Sequence, residues 1–142
     1  MNNNYIVSTL KDYQKKFAEK YRTEVFDKPT NSIDGFPRRY YVESGNKPRY
    51  SLTVYAGQVS FEIAYFPFKN QPYNYEVWLA VYIHDDATQT RRKRFFARYI
   101  NPSYNHVWQY LKSIEDILDS TVYSGFNTED ILEGVYNKLP WR

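Results

Sequence analysis

Residues 91–98 read Arg-Arg-Lys-Arg-Phe-Phe-Ala-Arg: five positive charges, no negative one and two adjacent rings. Cations offset phosphate charge, and flat rings stack on bases of any identity, so such a stretch on one surface points to single-stranded nucleic acid. The chain as a whole carries a formal charge of +3, which leaves everything outside this stretch net negative. The positive potential is therefore local, and a local basic patch favours polyanions.

Carboxylates offer a second chemistry. Glu62 and Glu76 fall on the same face of consecutive strands, and His84-Asp85-Asp86 stands at a hairpin end. Such a set suits a divalent metal for phosphodiester cleavage. The same parity sets Arg98 beside Glu76, however, and an ion pair accounts for that carboxylate without a metal. His106, the other histidine, has no second histidine at ligand spacing. The absence of cysteine excludes thiol nucleophiles, Cys-ligated zinc and disulfides. No glycine-rich phosphate loop, Gly-x-Ser-x-Gly elbow or dinucleotide fingerprint occurs. The expectation is a non-enzymatic protein with no catalytic residue, no metal and no cofactor.

The elements that must position the basic stretch follow from periodicity. Leu10, Tyr13, Phe17, Tyr21 and Val25 recur at steps of three and four, predicting a helix over 9–26 capped by Ser8 or Thr9. Its other face carries Lys11, Lys15, Lys16, Lys20 and Arg22, the ordinary solvated face of a surface helix. Residues 27–37, with Pro29, Gly35 and Pro37, read as a loop. Period-two alternation then predicts strands at 38–44, 49–56, 59–66, 73–84 and 91–100.

Gly57-Gln58 joins two of these strands, and glycine first in a two-residue loop suits a type II′ turn. That turn pairs Ala56 with Val59, Val54 with Phe61, Leu52 with Ile63 and Tyr50 with Tyr65. In the next hairpin, Tyr73, Tyr75, Val77, Leu79, Val81 and Ile83 share the core side. Burial cost sends Arg92, Arg94 and Arg98 to the other side. The register expected is Leu79 opposite Phe95, with Glu76 opposite Arg98, Trp78 opposite Phe96, Ala80 opposite Arg94 and Tyr82 opposite Arg92. Arg91 and Lys93 then face inward near the tip. Because four consecutive basic residues cannot lie in a core, the tip is expected to project as a two-stranded arm, wet on both sides, able to follow a phosphate track. The alternative role for its charges is protection of a sheet edge.

Asn101 and Pro102 predict a helix start, and Val107, Tyr110, Leu111, Ile114 and Leu118 its buried stripe. Ser124-Gly125 interrupts. A last helix begins near Asn127 or Thr128, uses Ile131, Leu132, Val135, Tyr136 and Leu139, and stops at Pro140.

The fold class expected is α+β: a four- or five-stranded antiparallel meander with an N-terminal helix and two C-terminal helices packed on one face. At 142 residues this is one domain spanning 1–142, with any disorder confined to residues 1–8. Neither a secretory signal nor a membrane-length apolar run occurs, so the expected compartment is the cytoplasm and no membrane partner is expected. One residue in five is aromatic, with 16 Tyr, 9 Phe and 3 Trp, which supplies either a Tyr-built core or exposed stacking rings.

The second sheet face is expected to be open. Its candidate nucleic-acid contacts are Arg49, Tyr55, Trp78, Tyr82 and Phe96, with Arg91, Arg92, Lys93, Arg94 and Arg98. For Trp78 and Phe96 the competing role is a cross-strand pair, with Arg92 over Tyr82, that stabilises the sheet alone. The leading functional expectation is binding of single-stranded DNA or RNA. A protein-binding module, such as a small inhibitor or adaptor using the same Tyr/Trp/Arg-rich face, is the alternative, because both interfaces favour these residues. An open ring-rich face would also support a homodimer.

Overall fold

A computed structural model describes residues 4–20, 41–45, 50–68, 74–85, 87–88 and 90–139. The elements run α1 (Asn4–Lys20), β1 (Tyr41–Gly45), β2 (Tyr50–Ala56), β3 (Val59–Pro67), β4 (Tyr75–Asp85), β5 (Thr90–Ile100), α2 (Tyr104–Thr121), a 3-10 turn (Val122–Ser124) and α3 (Thr128–Lys138). The five strands form one antiparallel meander in the order β1-β2-β3-β4-β5, leaving β5 at an edge. The α+β expectation holds, with five strands. Among the described residues no helix is long and apolar enough to cross a membrane.

Strand pairing builds the core. The β2–β3 hairpin has the expected register, Ala56 opposite Val59 through Tyr50 opposite Tyr65. Gly57 has φ +62° and Gln58 has no positive φ, which is the type II′ pattern. One hydrophobic cluster joins Leu52, Val54, Phe61, Ile63, Val77, Leu79, Val81 and Phe95 of the sheet to Leu10, Phe17, Leu111, Ile114, Leu118 and Ile131 of the helices. Helices α1 and α2 run side by side in the same direction. Tyr5 meets Tyr104 at one end, and Lys16 and Lys20 reach Glu115 and Asp119 at the other. Helix α3 packs closely on α2, where Gly134 leaves room for Ile117.

The helix boundaries differ from expectation for local reasons. Helix α1 begins at Asn4, because Ile6 extends the buried stripe of Leu10, Tyr13 and Phe17 by a turn. Ser8 and Thr9 thus lie inside the helix and cap nothing, and residues 4–8 belong to it; residues 21–26 lie outside the described residues. The N-cap of α2 is Ser103, whose hydroxyl accepts from His106 N at 3.1 Å. Asn101 is otherwise engaged: at φ 50° its Oδ1 accepts from Tyr75 N at 2.9 Å, and its Nδ2 donates to Asn74. It closes the β4–β5 hairpin instead of starting the helix. Asn127 caps α3 as expected, accepting from Asp130 N. Tyr136, expected in the buried stripe, is exposed, and Ile131, Val135 and Leu139 carry the packing.

Candidate nucleic-acid interface

The β4–β5 ladder departs from the expected register in two ways, and both decide where the cations stand. From Glu76 to Val81 the pairing is shifted by two residues, so that Leu79 faces Ala97, Trp78 faces Arg98 and Ala80 faces Phe96. An even shift keeps every side chain on its expected face. A β-bulge then falls between Val81 and Tyr82. Val81 pairs with Phe95 but Tyr82 pairs with Lys93, so Arg94 is the extra residue.

The bulge exchanges the faces beyond it. Lys93 and Arg91 stand opposite Tyr82 and His84 on the second face, whereas Arg92 and Thr90 stand opposite Ile83 and Asp85 on the helix side. The expectation of Arg92 outward and Arg91 and Lys93 inward is corrected. A regular ladder would send both Arg91 and Lys93 towards the helices, whereas the bulge leaves only Arg92 there.

On the second face the two displaced cations sit on rings. The Arg91 guanidinium lies 4.2 Å from the Tyr82 ring centre, and Lys93 Nζ lies 4.5 Å from that of Phe96. Arg91 therefore takes the place over Tyr82 expected for Arg92. Arg91, Arg92, Lys93 and Arg94 are all exposed, and none has an acidic partner among the described residues.

The tip is not a free two-stranded arm. Strand β3 flanks β4 as far as Ile83, and His84 N donates to Gln58 O at 2.8 Å, so only the segment beyond His84 projects. There Asp85 Oδ1 accepts from Ala87 N and Thr88 N and caps the turn.

The rest of the second face is much less open than expected. Tyr55 is 8% exposed and packs on the His84 ring, Ser60 is 1% exposed, and Thr53, Ala64, Glu76 and Ala80 are also buried. Small residues here stand beside large rings: Ala64 opposite Trp78, Ala80 opposite Phe96 and Ser60 opposite Tyr82. Trp78 is half-buried between Phe66 and Phe96, with ring centres 4.4 and 5.5 Å away. The Trp78–Phe96 contact is diagonal across the ladder, because the shifted register sets Ala80 opposite Phe96. Tyr55 is thus withdrawn from any stacking role. Phe96, 41% exposed, is the most accessible ring among Tyr55, Trp78, Tyr82 and Phe96. Arg49 lies outside the described residues.

Arg98 is exposed but committed. It donates from Nε and Nη2 to both carboxylate oxygens of Glu76, and Trp78 Nε1 donates to Oε1 at 2.6 Å. The Arg98 hydrogen bonds outweigh burial and, with Trp78, hold the Glu76 carboxyl below its ordinary value. With its carboxylate so engaged, Glu76 is a poor metal ligand, and no group of three metal-ligating residues occurs among the described residues. Ser60 Oγ lies 2.7 Å from His84 Nε2, a spacing seen in nucleophile–base pairs, yet the near-complete burial of Ser60 bars it from a substrate.

A cleft of about 430 Å³ opens at the tip, lined by Gln58, Ile83, His84, Asp85, Thr90 and Arg92. Sequence reasoning missed it. Its one signal was the parity conflict at Arg91 and Lys93, which marks an irregularity in the ladder. Comparison with protein-family models, curated protein sequences and solved structures finds no match to this chain.

Proposed function

We propose that this protein binds single-stranded DNA or RNA without catalysis, along the first half of β5. One observation carries the reading. The bulge at Arg94 leaves four cations exposed on consecutive positions with no acidic partner among the described residues, and seats two of them on Tyr82 and Phe96. Cations alternating with rings provide phosphate neutralisation and base stacking together. The binding residues are Arg91, Arg92, Lys93 and Arg94, with Phe96 and Tyr82 as rings; Trp78 and Arg98 support the sheet beneath them.

Fluorescence anisotropy with labelled oligonucleotides at several salt concentrations tests this. Affinity should fall with salt at a slope of roughly 0.7 per neutralised phosphate. Replacing Arg91 and Lys93 by Glu should weaken binding to every sequence and flatten that slope. Phe96→Ala should remove stacking, about 1 to 3 kcal/mol, with little change in slope. No binding at low salt by the folded protein would sink the reading.

A protein-binding module is the second reading, and a separate observation favours it. Tyr5, Tyr104 and Trp108 are all exposed where α1 and α2 begin, with Tyr5 and Tyr104 in edge contact. Exposed Tyr and Trp side by side are common at protein interfaces. On that reading oligonucleotides bind weakly, and a stoichiometric protein survives nuclease treatment in a pull-down. A homodimer through the second face has less surface to rest on, given the burial of Tyr55, Ser60 and Ala80.

A further inference from the structure

The cleft at the tip has a chemistry of its own beside the ring-bearing face, from which His84 joins its lining. Ile83 and Asp85 are two positions apart on β4, and their partners Arg92 and Thr90 are two apart on β5, so all four share the helix-side face of the sheet. Gln58 closes the site from the β2–β3 turn. At about 430 Å³ it falls in the size range of small-molecule sites, roughly 300 to 1,000 Å³.

The cleft contains an anion and a cation that do not pair. Asp85 and Arg92 lie diagonally across the ladder, yet no ion pair joins them among the described residues. One oxygen of Asp85 is held by the turn, through Ala87 N and Thr88 N. The carboxylate is thereby fixed in place, and its other oxygen is not engaged by that turn. Arg92 presents a planar donor fork, and Ile83 offers half-buried apolar surface between them.

A base that satisfies both charges sets N–H donors with no lone pair beside them against the carboxylate, whose second oxygen the turn leaves unengaged, and two adjacent acceptors against the guanidinium. Among the nucleobases only guanine has both. Its N1–H and N2–H2 form a donor–donor edge, and O6 and N7 form the acceptor pair that arginine reads. Adenine and cytosine place an acceptor beside their single amino group, and thymine and uracil flank one N–H with two carbonyls. Each of these would set a lone pair against Asp85.

We infer that the cleft formed by Gln58, Ile83, His84, Asp85, Thr90 and Arg92 is a subsite for one guanine base of a strand whose phosphates follow Arg91, Lys93 and Arg94. This rests on the nucleic-acid reading above and adds base selectivity to it. The strand crosses the edge of β5, so that neighbouring bases meet Phe96 on one face while the guanine enters the cleft on the other.

The test uses labelled oligothymidine carrying at one central position guanine, adenine, cytosine or thymine, with anisotropy measured on the full chain at low salt. The guanine oligonucleotide should bind roughly five- to hundredfold more tightly than the other three. Asp85→Asn keeps an amide oxygen to cap the turn but replaces an acceptor with a donor, and it should bring that ratio close to one with an unchanged Tm. Equal affinity for all four strands by the wild type overturns the guanine subsite while leaving phosphate binding intact. Preference for another base, or a ratio untouched by Asp85→Asn, overturns it as well. Failure of every strand to bind removes the nucleic-acid reading itself, and the subsite with it.

Discussion

Arg98 grips the Glu76 carboxylate from the neighbouring strand, Nη2 to Oε2 at 2.8 Å and Nε to both oxygens at 3.2 Å. This contact divides the five cations of residues 91–98 into one that serves the sheet and four that face solvent. Arg98→Gln should therefore lower Tm, because among the described residues it leaves the buried Glu76 carboxylate with Trp78 as its remaining partner. The salt slope of oligonucleotide binding should stay as in the wild type. A slope reduced as much as by Arg91→Gln would mean that Arg98 reaches phosphate after all.

Acid should weaken the fold through two carboxylates. Burial would raise Glu115, but hydrogen bonds and charge from Lys20 and Lys16 prevail, so it sits below the ordinary 4.5, as does Glu76. A carboxyl whose folded pKa is depressed contributes its full stability above the unfolded value and loses it as pH falls through the folded one. Tm should hold steady above pH about 5 and drop progressively below it. In Glu115→Gln the drop should be shallower. Lys20 has the opposite sign: burial opposes its charge, yet Glu115 and Asp119 raise it above 10.5, so its contribution fades only as pH rises past that value. Because Lys16, Lys20 and Lys112 are partly exposed and can rehydrate, Glu115→Ala should cost only about 1 to 2 kcal/mol by chemical denaturation.

Gly57 meets two constraints at once. Its φ is +62°, and a Cβ there would stand 2.5 Å from the Phe126 carbonyl oxygen. The β2–β3 turn is pressed against the α2–α3 junction, and any side chain must push them apart. Gly57→Ala should cost about 1 to 3 kcal/mol, read from urea unfolding. A change of a few tenths would mean that the junction moves freely relative to the sheet.

Leu79 belongs to the core cluster and lies between Ile63 and Ala97 in the sheet. Leu79→Ala should cost about 2 to 5 kcal/mol as a cavity substitution. Ala97→Leu, on the partly buried position beside it, should recover part of that loss in the double variant. Additive effects of the two changes would contradict the register described here.

Deleting Arg94 should be tolerated, since the bulge residue lies outside the paired ladder and both flanking pairs, Val81 with Phe95 and Tyr82 with Lys93, can persist. Deleting Ala97 should not be, because it moves every later side chain of β5 to the opposite face. Circular dichroism melting distinguishes the two. A folded Ala97 deletion beside an unfolded Arg94 deletion would place the bulge elsewhere.

How far the sequence could be read depended on the number of independent constraints at each point. The β2–β3 register was legible because a two-residue turn leaves one pairing and the apolar face agrees with it. The β4–β5 hairpin has a longer connection, so face parity constrained the register only to within two residues. Four consecutive cations signalled that something must break there, without saying where. Asn101 misled for a similar reason: its type suits a helix cap, but in space its side chain is closer to Tyr75 N.

By itself the sequence determined which residues are inward on β2, β3, β4 and α2, because burial of apolar side chains at fixed periods is a local property of the chain. It also determined that positive charge concentrates in residues 91–98. Only the tertiary structure decided which cations are available and what they stand beside. The bulge at Arg94 placed Arg91 and Lys93 on rings, sent Arg92 to the cleft diagonally across from Asp85, and left Arg98 to Glu76. The burial of Tyr55, likewise, could not be read from face parity, because parity assigns a side to a residue while exposure depends on what its neighbours on that side cover.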